Sequence, residues 1–158
     1  MKKPNQIRAV IEQSNPAFIN NPERLQLFVD QGQIISTGTT SLSFEYSYTL
    51  NVIITDYADD IARIIVPLLA YLKTNQPELF ENPQRRENGI KYNLDYNNND
   101  TLDLSIDIQL TERVVAKSQG DSTEIKYAAE PIWDKERVRV YFDGKVIFDS
   151  GEQPHGNG

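Results

Sequence analysis

Several residue types that common active sites require are missing from this 158-residue chain. It has no cysteine, which excludes disulfide bonds and thiolate metal or redox centres and is compatible with a reducing compartment. Its single histidine, His155, lies close to the last residue, so no Ser-His-Asp set can be drawn from the rest of the chain. A glycine-rich phosphate loop is absent as well. These absences favour a binding or structural role over catalysis.

Long apolar runs and excess positive charge are also lacking. The longest apolar run, residues 64–72, is far shorter than the ~20 residues of a membrane-spanning helix, and the amino terminus has no signal-peptide pattern. We therefore expect a soluble, cytosolic protein with no membrane partner. The net charge of −7 argues against a protein that coats nucleic acid by neutralising phosphates. An acidic protein can still line a channel through which DNA passes.

The most informative pattern is a strict alternation over residues 41–56. Every even position there is apolar or aromatic except the last, and most odd positions are polar. Because side chains alternate between the two faces of a strand, this pattern predicts one long strand with a dry and a wet face. It exceeds the usual ~5–6 residues, so it either bends around the domain or projects towards another subunit.

The other elements follow from periodicity within what we expect to be one main domain. Apolar residues at helical spacing predict helices over 4–14 and 58–74, with Pro67 kinking the second. Alternation predicts strands over 33–37, 90–94 and 102–115, and Asp143-Gly144 predicts a hairpin turn near the carboxyl terminus. Residues 24–28 fit a short helix or a strand equally well. Residues 84–89 are polar and predict a mobile loop.

Carboxylates are the one plentiful source of reactive groups. Asp103 and Asp107 share a strand face but lie about 13 Å apart, at ~3.3 Å per residue, which is too far for a shared proton. We interpret them as a solvated sheet face. Asp56, Asp59 and Asp60 have the oxygen ligands that a divalent cation prefers. Capping of the following helix explains them better, so no metal or cofactor is expected.

Interfaces are the remaining candidate sites. Phe44, Tyr46 and Tyr48 have the period of a core, although tyrosines in strands are also enriched at interfaces. Arg85 and Arg86 form a basic spot that is either solvated or contacts an acidic partner, and Trp133 either anchors a linker or docks a partner. The candidate subunit or partner interface residues are Gln33, Ser43, Glu45, Ser47, Arg85, Arg86 and Trp133.

Three blocks of the sequence resemble a known family: residues 22–60, 66–83 and 103–117. Their most specific parts are SLSFEYSYTLN at 41–51, NQPELF at 75–80 and LTERV at 110–114. In order and spacing the chain resembles, over residues 3–131, the phage tail completion protein R (GpR) family of P-two-like contractile-tailed phages and prophages. No catalytic motif contributes to this resemblance.

The resemblance implies an α+β fold of the tail-terminator kind: a twisted, mainly antiparallel sheet with a long β-hairpin and helices packed on one face. It implies a non-enzymatic protein that closes the head-proximal end of the virion tail as a ring, with a hexamer expected. Its partners are then further copies of itself, the tail tube and sheath proteins and the head neck or connector proteins, with DNA only as passing cargo.

Two other functions remain open. One is a head-side connector or a tail assembly chaperone, and the other is a small carboxylate- or metal-dependent hydrolase. For domain organisation we expect a main domain over 1–130, a carboxyl-terminal β-hairpin extension over 131–150 and a disordered tail over 151–158.

Overall fold

The computed structural model describes residues 1–38, 40–129 and 136–151, and these form a sheet, a helical layer and a small second hairpin. The helices are α1 (Lys3–Ser14), α2 (Ala17–Asn20), α3 (Ala62–Asn75), α4 (Glu78–Glu81) and α5 (Pro83–Asn88). The strands are β1 (Leu25–Ser36), β2 (Phe44–Tyr57), β3 (Ile90–Tyr96), β4 (Leu102–Gln119), β5 (Ser122–Tyr127), β6 (Arg139–Phe142) and β7 (Lys145–Asp149). The predicted α+β class is confirmed.

The main sheet is antiparallel throughout, with strand order β1-β2-β4-β3. The long strand β4 carries β2 along one edge. Its other edge is shared, because β3 pairs with residues 102–108 and β5 pairs with residues 114–119. A gap therefore separates β3 from β5 along this edge, and among the described residues no strand lies beside residues 109–113 of β4 there.

The core lies between one face of this sheet and the helices. Even-numbered residues of β2 and β4, from Leu50 to Ile54 and from Leu104 to Leu110, are fully buried. They pack against Ile7 and Ile11 of α1 and against residues of α3. The apolar side chains of α3 that complete the core are Ile64, Leu68 and Leu72. The predicted placement of the helices on one sheet face is confirmed.

The predicted hairpin is present, and its first strand is longer than expected. β1 begins at Leu25 and pairs with β2 as far as Ser36, which lies opposite Phe44. Residues 24–28, which fitted a helix or a strand equally well, are therefore a strand from Leu25 onward. An irregularity between Asp30 and Gln33, with Gln31 at φ 52°, shifts the register. This β-bulge interrupts the alternation, which explains why the strand was not evident before residue 33.

Two expectations about the helical region are wrong. The helix predicted over 58–74 starts only at Ala62, because β2 continues to Tyr57 and an Asp60 carboxylate oxygen accepts the Ala62 backbone N–H. The loop predicted over 84–89 is mostly the helix α5. Asn82 caps α5 by accepting the backbone N–H groups of residues 84 and 85, and a proline follows at the first helical position.

The carboxyl-terminal hairpin is confirmed and packs on the outside of the helices. Its turn, Asp143-Gly144, has positive φ at both residues, as a tight hairpin turn requires. Phe148 is buried, the Gln13 side chain of α1 donates to the Asp149 carbonyl, and the Arg63 guanidinium of α3 lies 5.3 Å from the Phe142 ring centre. The domain boundaries proposed above stay predictions, and the tail expected to be disordered lies, beyond its first residue, outside the described residues.

Candidate interaction surfaces

A buried polar cluster closes the gap on the β4 edge. The backbone N–H of Thr111 donates to Oε1 of Gln76 at 3.1 Å, and the Thr111 carbonyl accepts from Nζ of Lys3 at 2.7 Å. Lys3 Nζ also donates to the Asn75 carbonyl and to Gln76 Oε1. Side chains from α1 and the end of α3 thus replace the missing strand, which satisfies backbone groups that would otherwise be costly to bury.

Glu112 extends this cluster to the start of α1. One of its carboxylate oxygens accepts the backbone N–H groups of Lys2 and Lys3, at 2.6 and 3.3 Å, and the other accepts the Tyr48 hydroxyl at 2.7 Å. A carboxylate at a helix amino terminus satisfies unpaired N–H groups and opposes the helix dipole. Burial, and then the Glu112 hydrogen bond, raise the pKa of Tyr48 far above its usual range. The cluster therefore fixes α1 against the sheet.

In the described part of the chain no helix covers the second face of the sheet, and an open groove of about 270 Å³ lies beside it. Its lining is rich in amide and hydroxyl side chains: Gln31, Gln33, Ser47, Tyr48, Thr49, Gln76, Leu79, Arg85, Gln109, Leu110 and Thr111. This lining offers hydrogen-bond donors and acceptors with one guanidinium, which suits an extended polar segment of another protein. Three predicted interface residues, Gln33, Ser47 and Arg85, are brought together here.

The other predicted interface residues lie elsewhere. Ser43 Oγ accepts the Ala116 backbone N–H at 2.9 Å, so this side chain extends the β2–β4 pairing. Glu45 lies on the uncovered face, directly between Ile35 of β1 and Arg113 of β4. Arg86 Nε donates to the Phe80 carbonyl and ties α5 to α4. Trp133 lies outside the described residues. Their roles at an interface stay predictions.

The outer half of the β1–β2 hairpin carries apolar residues that nothing in the described part of the chain covers. On the helix side of the sheet, Val29 is 41% and Ile34 is 73% exposed, and Phe44 and Tyr46 beside them are half-buried. On the opposite side Ile35 is also exposed. We call Val29 and Ile34, with the β1 edge that bears them, the hairpin surface.

A second uncovered patch lies at the opposite edge of the sheet, on β3. On the helix side of β3, Tyr92 is 62% and Tyr96 is 81% exposed, whereas Ile90 and Leu94 on the same face pack on the core. We call Tyr92 and Tyr96, with the β3 edge that bears them, the tyrosine surface. In the described residues neither β1 nor β3 has a strand on its outer side.

Two of the carboxylates considered for chemistry, Asp103 and Asp107, are engaged in structural contacts. Asp103 Oδ1 accepts the Asp56 backbone N–H at 3.0 Å and the Asn97 amide at 3.0 Å, and these hydrogen bonds, the backbone one first, lower the pKa of Asp103. Asp107 accepts the Asn51 amide at 2.6 Å. Across the described ranges, no three acidic or histidine side chains converge as metal ligands would, and no helix has the length and apolar character to cross a membrane.

These features define a class of protein: a small α+β subunit with a long hairpin, two free sheet edges and uncovered faces suited to other chains. Comparison with known proteins identifies the family. Residues 1–131 match the model of the P2 phage tail completion protein R (GpR) family. The chain is also 39% identical over 150 residues to the tail completion protein R of Escherichia phage P2, covering 93% of this chain and 97% of that relative. No solved structure matches it significantly.

The chain therefore belongs to the P2 phage tail completion protein R family, as its sequence blocks indicated. This membership supports a function in phage tail completion and a place among virion structural proteins of the tail.

Sequence reasoning missed most of the exposed apolar residues. The groove residues Gln31, Thr49 and Gln109 and the tyrosine surface were not singled out. One signal was available: the pairs Phe28-Val29 and Ile34-Ile35 place apolar residues on both faces of one strand. Such pairs in a strand with a free edge indicate contact with another chain.

Proposed function

We propose that this protein completes the tail by assembling as a ring, with six copies expected, at the head-proximal end. The ring ends the growth of the tail tube and sheath and provides the surface to which the head neck proteins join. The protein performs no enzymatic step in this role. It assembles in the host cytoplasm and stays in the virion tail.

The observation that carries the proposal is the uncovered hairpin. Strands of 12 and 14 residues extend past the helical layer and leave large apolar side chains in solvent. An exposed strand edge with apolar side chains is an aggregation hazard unless another chain covers it. Membership in a tail completion family supplies the setting in which other chains are available, because virion subunits are present in many copies.

The charge of the uncovered sheet face supports DNA as passing cargo. Within the four-stranded part, this face carries five carboxylates and two basic side chains, namely Asp30, Glu45, Asp95, Asp103 and Asp107 with Lys91 and Arg113. A negative surface repels the phosphate backbone and limits its adhesion. If this face lines the ring lumen, DNA moves past it without binding tightly.

The test is addition of purified protein to tails and heads from a lysate of a phage that lacks this gene. Tail termination predicts that the protein binds one end of the isolated tails, seen as a ring by negative-stain electron microscopy, and restores joining to heads. Binding to heads but not to tails would instead support a head-side connector. Binding only to unassembled tail proteins would support an assembly chaperone. Native mass across a concentration series reports the number of copies in the ring.

A further inference from the structure

We propose that neighbouring copies join by strand pairing between the hairpin surface of one copy and the tyrosine surface of the next, so that the sheet continues from subunit to subunit. The inference rests on the proposed ring and names its contact. β1 and β3 are the outer strands of the main four-stranded path, so within the described ranges each presents one edge with no strand beside it. Such edges pair readily with another strand.

The two edges differ from each other, and this difference suits a ring. A contact between two different surfaces of the same chain is head-to-tail, and repetition of such a contact closes into a ring when the rotation allows it. A contact between two identical edges would stop at a dimer. One copy carries the two required surfaces at opposite edges of its sheet, so every subunit in a ring can use both.

The side chains on the helix side of the two edges match in character. When β3 of one copy lies beside β1 of its neighbour, Tyr92 and Tyr96 fall on the same face as Val29 and Ile34 of that neighbour. Aromatic and β-branched residues on adjacent strands are a favourable cross-strand combination. All four side chains are exposed in the single subunit, and strand pairing would remove Val29 and the two tyrosines from solvent together.

Charge on the opposite face of the two edges disfavours a contact between two β1 strands. On this face β3 presents Lys91, Asn93 and Asp95, and β1 presents Gln26, Phe28, Asp30, Gln33 and Ile35. The charges of Lys91 and Asp95 balance, so pairing of β1 with β3 places Asp30 beside an edge without net charge. Pairing of β1 with a second β1 would bring two Asp30 carboxylates onto one face, which is unfavourable at short distance. Charge thus favours β3 over a second β1 as the strand beside β1.

The length of the two strands is compatible with this contact. β3 has 7 residues, and β1 has a regular segment from Leu25 to Asp30 before its bulge. This segment is close to the length of β3, and Val29 lies near its end. Val29 and Tyr92 are therefore the positions at which we place chemical probes.

The absence of cysteine from the sequence allows a clean cross-linking test. We would prepare V29C and Y92C separately, mix them under conditions in which the unmodified protein forms its largest species, and add a short bismaleimide. Head-to-tail pairing predicts a covalent dimer in the mixture and little in either variant alone. A mixture of V146C with Y92C is the matched control, because Val146 is exposed on the carboxyl-terminal hairpin, which contacts α1 and α3.

Each outcome decides the proposal. Strong cross-linking of V29C alone indicates identical edges in contact and overturns it, and a large species without any cross-link between these positions overturns it while leaving the ring in place. A protein that stays monomeric both in solution and on isolated tails overturns the contact and the proposed ring together. If V29C does not fold by circular dichroism, D30C replaces it, since Asp30 is exposed and lies next to Val29 in the same regular segment of β1.

Discussion

At the scale of residues, Glu112 joins elements that are far apart in the chain. Its carboxylate accepts hydrogen bonds from the start of α1 and from Tyr48 in the middle of β2. Glu112 itself lies in the part of β4 that has no strand on its outer edge in the described residues. A buried carboxylate is tolerated only when its oxygens accept hydrogen bonds, so loss of any of these donors should lower the stability of the fold.

Replacement of Tyr48 by phenylalanine should lower the free energy of unfolding by about 2 kcal/mol, because a hydrogen bond to a charged, buried carboxylate is lost. Denaturant unfolding measures this. Tyr96→Phe is the matched control: its side chain is 81% exposed, and we expect a change within about 0.5 kcal/mol. Equal effects of the two substitutions would contradict the assigned role of the Tyr48 hydroxyl.

Asp149 is the centre of a second polar cluster, in the carboxyl-terminal hairpin. Hydrogen bonds from Arg137, then from the Gly151 backbone N–H and also from Arg139, hold the pKa of Asp149 well below its usual range. A carboxyl group with a lowered pKa in the folded state stabilises the protein above its unfolded pKa, ~3.9 for aspartate. The stabilisation is lost as the pH falls from there towards the folded pKa.

Asp149→Asn should therefore lower the melting temperature at neutral pH, and the difference from the unmodified protein should shrink below pH ~4. Thermal unfolding at a series of pH values between 2 and 7 measures this. Asp143→Asn, in the turn of the same hairpin, is the control for a generic loss of one charge. If the difference in melting temperature between Asp149→Asn and the unmodified protein stays constant down to pH 2, this explanation is wrong.

At the scale of elements, the junction between α5 and β3 depends on a close approach at Gly89. A Cβ atom there would lie 2.5 Å from the Arg85 carbonyl oxygen and would also collide with the Leu79 side chain. Gly89 also accepts, through its carbonyl, the Gln109 backbone N–H that starts the pairing of β3 with β4. This glycine thus sets where α5 ends and where β3 begins.

Gly89→Ala should lower the free energy of unfolding by about 1–3 kcal/mol, since backbone or core atoms must shift to admit the methyl group. Gly32→Ala is the matched control, because a Cβ at Gly32 in the β1 bulge meets nothing within 4 Å. Denaturant unfolding of both variants measures the difference. A loss at Gly32 as large as that at Gly89 would show that close packing is not the cause.

The elements with regular periodicity are the ones that the sequence predicts well. β2, β4 and α3 each bury one face, so burial imposes a period that is visible in the residues. β1 and α5 could not be predicted in the same way. β1 is exposed on both faces beyond Leu27 and contains a bulge, and α5 has no buried residue, so neither has an apolar period. α5 is specified mainly by its Asn82 cap and Pro83, a local signal that its polar composition concealed.

The candidate surfaces could be predicted only in part. Gln33, Ser47 and Arg85 were chosen from the wet side of strands and from a basic pair, and they converge at one groove only because α4 and α5 fold beside the β4 edge. Their convergence depends on contacts distant in sequence. The hairpin and tyrosine surfaces depend on which residues the helices fail to cover, and that is a property of the folded subunit.

At the scale of the whole molecule, assembly should depend on the charge of the uncovered hairpin face. Glu45 lies there in β2, between Ile35 and Arg113 on the neighbouring strands. Glu45→Lys places a positive charge beside Arg113 and next to the apolar side chain that β1 exposes. We expect the concentration at which half the protein is assembled to rise about tenfold, which corresponds to ~1.4 kcal/mol per contact, with the subunit fold unchanged.

Sedimentation velocity or mass photometry across a concentration series measures the assembly midpoint, and circular dichroism checks the fold. Asp59→Lys is the matched control, because Asp59 is exposed in the loop before α3 and the substitution changes the net charge by the same amount. If both variants shift the midpoint equally, net charge alone is responsible. If Glu45→Lys assembles as the unmodified protein does, this part of the uncovered face lies outside the subunit interface, and contacts at the sheet edges alone must hold the ring together.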